Sequence, residues 1–92
     1  MTTHAVRFRL LMLLSWALCE ERCTSIMVTP HQGEPVLYVP LPYGPGRQAG
    51  AKLAVLAFQH SGRWFYAWGG GGMAVADQAE VTARTIAKLV VA

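Results

Sequence analysis

The run Arg63-Trp64-Phe65-Tyr66-Ala67-Trp68 limits the possible folds more than any other part of the chain. Aromatic residues at this density favour an extended strand. In a strand, side chains alternate between faces, so Trp64, Tyr66 and Trp68 share one side and Phe65 and Ala67 the other. Both sides are apolar, so each needs a cover or is an exposed aromatic surface. Upstream, Lys52 to Gln59 reads as a second strand, and Ser61-Gly62 marks the turn that makes the two a hairpin. Two registers fit. A two-residue Ser61-Gly62 turn sets Phe58 opposite Phe65. A three-residue His60-Ser61-Gly62 loop sets Phe58 opposite Trp64. The loop needs positive φ only at glycine, and serine is a poor first residue for the tighter turn, so the loop is the expected register.

Two further strands are expected. Ser25-Ile26-Met27-Val28-Thr29 is rich in β-branched residues. Pro35 and Pro40 bracket Val36-Leu37-Tyr38-Val39, which suits an edge strand because proline donates no ladder hydrogen bond. Pro30 to Glu34 supplies the turn between them, and residues 41–50 form a Pro/Gly loop.

A helix is expected on either side of the sheet region. From about Ala5 to Arg22, Leu10, Leu11, Leu14, Ala17 and Leu18 recur at helical spacing. Met12, Leu13 and Trp16 widen that stripe beyond what one sheet face can cover. Residues 8–19 also carry the outline of a signal or membrane anchor: Arg7 and Arg9, an apolar core, then Glu20-Glu21-Arg22. The apolar stretch is short of the roughly 17–25 residues that span a bilayer, and the region around Leu18-Cys19 makes a poor cleavage site. A core helix is therefore the expected role, with export or anchoring as the alternative. At the other end, Ala79, Thr82, Ala83, Ile86, Leu89 and Val90 mark a helix opened near Asp77, with Asp77 and Glu80 placed as a capping box. Its small Ala79 and Ala83 would let it approach the sheet closely. Between the aromatic strand and this helix, Gly69 to Gly72 read as a linker or tight crossover. A phosphate-binding loop is disfavoured because no Gly-Lys-Ser/Thr follows and Asp77 and Glu80 stand where the anion would sit.

The expected fold is thus a single α+β domain of two layers. It has a four-stranded antiparallel sheet over residues 24–68, flanked by the helix within 1–22 and the C-terminal helix. A Val-Leu-Tyr-Val-Pro strand, a Gly-Arg-Trp-Phe-Tyr-Ala-Trp strand and a terminal helix opened by Asp77 resemble small uncharacterised bacterial α+β proteins. That resemblance covers roughly residues 24–90, implies the same fold and carries no catalytic residues across.

For function, the residues argue mostly by exclusion. The 92 residues are 53% hydrophobic and 14% charged, against about 25% charged in an average domain. So few charges hardly cover a monomer, which points to a partner, a second copy or a membrane contact. The net charge of +3 contains no basic cluster of the kind nucleic-acid binding requires. The acids Glu20, Glu21, Glu34, Asp77 and Glu80 and the histidines His4, His31 and His60 offer no nucleophile–base–orienter set, so no enzyme is expected. Cys19 and Cys23 read as free thiols on one helix face, in keeping with a reducing, cytoplasmic setting. A zinc site from Cys19, Cys23 and His31 would lack a fourth ligand at any standard spacing. Neither metal nor cofactor is expected.

What remains is the aromatic strand. If Phe65 and Ala67 face the helices, then Trp64, Tyr66 and Trp68, with Arg63, form a binding platform. If the three large rings face the helices, they are core. The platform suits a protein partner or second copy; with Lys52 and Arg63 it also suits stacked bases of a single strand, as a weaker alternative.

Overall fold

A computed structural model describes residues 3–30, 33–42, 46 and 50–91. The elements are α1 (Thr3–Glu20), β1 (Ile26–Val28), β2 (Val36–Pro40), β3 (Lys52–His60), β4 (Arg63–Trp68), β5 (Gly72–Val75) and α2 (Ala79–Val91). The strands form one antiparallel meander of five in the order β1-β2-β3-β4-β5. The two helices lie together in one layer, and a single core joins them to one face of the sheet. The architecture is the expected two-layer α+β type, with one strand more than expected.

The fifth strand comes out of the glycine run. Trp68 pairs with Gly72, and the chain folds back over Gly69, Gly70 and Gly71 into a hairpin. Gly70 and Gly71 take φ of +87° and +82°, a region open to glycine at no steric cost. Gly72 is needed for space as well, because a Cβ there would stand inside the Trp68 indole. The run is therefore a turn and a strand start, and the linker expectation is corrected.

The β3–β4 hairpin takes the tighter register: His60 pairs with Arg63, Gln59 with Trp64 and Phe58 with Phe65. Ser61 and Gly62 both have positive φ, 52° and 78°, as a two-residue turn matched to strand twist requires. Serine accepts that conformation here, and Phe58 and Phe65 stack with centroids 5.5 Å apart. β2 lies between β1 and β3 and is not an edge. Its prolines fall just before and at the end of the strand, where the missing donors are tolerated, and Leu41 N–H continues the ladder to Ala51 O.

α1 buries Leu11, Leu14, Ala17 and Leu18, the expected stripe, and these residues are part of the domain core. Among the described residues, no helix is long and apolar enough to cross a membrane. The helix ends in a Schellman cap. Arg22 takes φ of 62°, Cys23 N–H reaches back to Leu18 O at 2.8 Å, and Arg22 N–H bonds Cys19 O at 3.0 Å. This cap commonly brings together the two residues that flank it, and here both Leu18 and Cys23 are core residues. It also separates the cysteines: Cys19 is exposed on the last turn and Cys23 is buried beyond it, so they do not share a helix face. His31 lies outside the described residues, as does most of the 43–49 loop.

α2 starts at Ala79. The Gln78 carbonyl accepts both Thr82 N–H and the Thr82 hydroxyl, so Gln78 holds the cap position and Asp77 stands one residue too early. Thr82, Ala83, Ile86 and Ala87 are buried, while Leu89 is exposed. α2 makes its close backbone approaches to α1. The expected close seat of α2 on the sheet is thus replaced by a close seat on α1, with Ala83 in the shared core and Ala79 packed against it.

Candidate binding surface

Strand alternation and the register divide the sheet into two apolar faces. The helix-side face carries Leu37, Val39, Val55, Ala57, Tyr66 and Trp68, all buried. Tyr66 is fully covered, and its hydroxyl donates to Leu10 O of α1 at 2.6 Å. This satisfies the one polar atom on a ring otherwise suited to the core. Burial pushes its phenol up to about 12. Trp68 is 9% exposed. Trp64 is half-buried, with the Arg7 guanidinium 5.8 Å from its ring centroid. Arg7 also pairs with Glu34 at 3.0 Å, so α1 is tied to the chain just before β2. Ser15 and Ser25 hydroxyls, 2.8 Å apart, tie α1 to the start of β1.

The rings of Trp64, Tyr66 and Trp68 therefore share a face, and that face is turned to the helices; an exposed platform of all three does not form. Arg63 is exposed, and alternation places it opposite to Trp64, beside Phe65.

The other face is the exposed one. Its cross-strand rows are Ile26–Tyr38–Ala54, Leu56–Ala67–Met73 and Phe58–Phe65–Val75. Met73 is 61% exposed, Ile26 55% and Leu56 38%. Phe58, Phe65, Tyr38 and Val75 are half-buried. No described element covers this side. The strands contain no Asp or Glu; their only full charges are Lys52 and Arg63. Both belong to the open face, Lys52 with its ammonium 4.3 Å from the Tyr38 ring centroid and Arg63 opposite His60 at the hairpin.

A second exposed apolar surface lies on the far side of the molecule. On α1, Met12, Leu13 and Trp16 point away from the core, Trp16 being 65% exposed. Beside them runs a groove of about 510 Å³, lined by Leu13 and Trp16 and by Arg9, Glu20, Asp77 and Glu80. That is three carboxylates against one guanidinium. The Cys23 thiol is raised by burial and then by the Glu21 carboxylate, so it is held in the unreactive form.

Alternation left two orientations open, and the structure takes the one in which the large rings are core and Phe65 lies on the open face, not the platform orientation. A partial signal was present: on the helix side Tyr66 and Trp68 stand beside smaller residues, Ala57–Tyr66–Ala74 and Val55–Trp68–Gly72, which leaves depth for a packing helix, whereas Trp64 stands opposite Gln59. On the open side the Phe58–Phe65–Val75 row sets large against large, while Ala67 separates Leu56 from Met73. No protein-family model, no curated protein and no solved structure matches the chain.

Proposed function

We propose that this chain is a small non-catalytic assembly module, acting through its open sheet face on other copies of itself. The observation that carries the reading is an apolar face running across all five strands that no described element covers. Strands spaced about 4.8 Å apart and some six residues long give a face of roughly 400 Å² in plan, before side-chain relief is counted. That is comparable to the largest apolar patch of a typical monomer, about 300–600 Å², the size at which such patches are often functional. The chemistry on the face suits burial: aliphatic and aromatic side chains with cations at the ends of the strands and no carboxylate.

Sedimentation velocity over a concentration series tests the reading. The wild-type chain is expected to gain mass with concentration, and Leu56→Glu is expected to remain monomeric. A wild-type chain that stays monomeric throughout would remove the proposal.

A second reading has one observation in its favour. The stacked Phe58–Phe65 pair lies on a face whose only charges are Lys52 and Arg63, a pattern that can stack bases of a single strand. Titration with mixed oligonucleotides at low salt tests it, following Phe65→Ala beside wild type. It predicts salt-dependent binding that the variant weakens, and absence of binding ends it.

A further inference from the structure

We propose that copies of this chain associate head to tail, with the outer side of one helix layer seated on the open sheet face of the next copy. The inference rests on the self-association just proposed and adds its geometry. The molecule has two unpartnered apolar surfaces on opposite sides: Leu56, Phe58, Phe65 and Met73 on the sheet, and Met12, Leu13 and Trp16 on α1. A symmetric sheet-to-sheet dimer would cover the first and leave the second in water. It would also bring the Lys52 and Arg63 of one copy toward those of the other, with no carboxylate between them, since the strands contain none. The head-to-tail contact covers both surfaces. It sets that cationic face against the groove beside Trp16, where Glu20, Asp77 and Glu80 outnumber Arg9, and leaves the exposed Arg84 and Lys88 of α2 outside the contact.

The widths agree as well. Two packed helices with axes about 8–10 Å apart, each about 10 Å across, span roughly 20 Å. Five strands at about 4.8 Å spacing span nearly the same. The helix layer already covers one sheet face of this width within the molecule. The Met12–Trp16 ridge and the groove beside it are the part of its outer side that meets a neighbour's sheet, completing the helix–sheet–helix layering that sheets with two apolar faces adopt. The surface available is at the low end for protein association, where about 800 Å² per partner is standard. Each contact is therefore weak and concentration-dependent. Because the contact joins unlike surfaces, it does not use itself up: every added copy presents a fresh sheet face or a fresh ridge, giving a ring or an open row.

Two full-length variants test this, each blocked at one surface: Leu56→Glu on the sheet and Trp16→Glu on the ridge. Met73→Glu and Met12→Glu serve as second members at other exposed positions, and far-UV circular dichroism checks that all four fold. Sedimentation velocity is expected to show wild type growing past a dimer as concentration rises. Each variant alone should remain a monomer. A one-to-one mixture should form a species of twice the monomer mass that grows no further, because the intact ridge of the Leu56→Glu copy meets the intact sheet of the Trp16→Glu copy. If the Trp16→Glu chain dimerises by itself and mixing adds nothing, the contact is sheet to sheet: self-association stands and the head-to-tail arrangement falls. If wild type is monomeric at every concentration, both proposals fall. If all four variants associate like wild type, neither surface is the interface and both fall.

Discussion

Row for row, the two faces of this sheet contain similar amounts of apolar side chain and pack differently. On the helix side, Tyr66 lies between Ala57 and Ala74, and Trp68 between Val55 and Gly72. Each ring has room beside it, and Tyr66 spans the gap to bond the backbone of α1. On the open side, Phe58, Phe65 and Val75 stand abreast, as do Leu56, Ala67 and Met73. These are half-buried or exposed. The face that holds the fold together is thus the one whose fully or nearly buried rings, Tyr66 and Trp68, have smaller neighbours on both sides, which lets a second layer descend beside them.

The strongest way to break this comparison is to truncate neighbouring rings of β4. Tyr66→Ala empties a fully buried site and should cost about 3–5 kcal/mol. Phe65→Ala, one residue earlier and on the open side, removes a half-buried ring and should cost about 1 kcal/mol, as ordinary substitutions do. Urea denaturation at low protein concentration measures both. Equal losses would mean that the two faces are covered alike.

Next in size is the glycine under the indole. Gly72→Ala places a Cβ inside Trp68, so the ring or the strand must shift. Such overpacking typically costs about 1–3 kcal/mol and should alter the near-UV tryptophan signal. Gly71→Ala meets nothing within 4 Å and suffers only from its φ of +82°, a strain of about 1–2 kcal/mol, with the tryptophan signal unchanged. A Gly72→Ala chain as stable as wild type with an unaltered signal would show that the indole is not pinned against β5.

The alkaline limit of stability reports on the same face. The Tyr66 phenol is raised from 10.0 to about 12 by burial. The folded chain therefore binds a proton more tightly than the unfolded one. The stability linked to Tyr66 is fully present below pH 10 and is lost as pH rises through about 12. Tyr66→Phe should remove this alkaline slope and cost about 1 kcal/mol at neutral pH for the lost hydrogen bond to Leu10 O. Denaturation midpoints at neutral and alkaline pH measure both effects. An alkaline slope that persists in the variant would assign it to another group.

Much of this fold is legible in the residues, and what is not has identifiable causes. The α1 stripe of Leu11, Leu14 and Leu18 is a strong 3.6-residue period, and it is buried as its spacing predicts. The aromatic strand is legible as a strand, but its orientation is set by packing depth, which alternation cannot express when both faces are apolar. The Gly69–Gly72 run looked like a linker because glycine has low strand propensity. Its partner Trp68 lies immediately before it in sequence, and only the fold shows the indole lying across Gly72. The two-residue turn at Ser61-Gly62 overrode local preference because tertiary pairing fixed the register. Cys19 and Cys23 share a spacing that reads as one helix face, but the cap at Arg22 ends the helix between them. Of the candidate site, Arg63 and Lys52 were legible as the cations of the sheet. Their half-buried partners Phe58 and Phe65 were not, because alternation does not say which of two apolar sides the helices cover.

The smallest expected effect on stability separates the two faces most cleanly in function. Met73→Ser replaces a side chain that is 61% exposed. In dilute solution it should change the unfolding free energy by no more than about 0.5 kcal/mol, as surface substitutions away from special features do. If the open face were merely a badly covered surface, nothing else would follow. If it is an interface, the same substitution removes an apolar anchor from the contact while leaving each copy folded, and weight-average mass at high concentration should fall toward the monomer. The pairing of an unchanged denaturation midpoint with a lowered mass is what a stability role cannot produce: a residue that holds the fold together changes the first, and one that holds copies together changes only the second. A lowered midpoint in dilute solution would place Met73 in the fold rather than the interface and would move the boundary between the two faces toward β5.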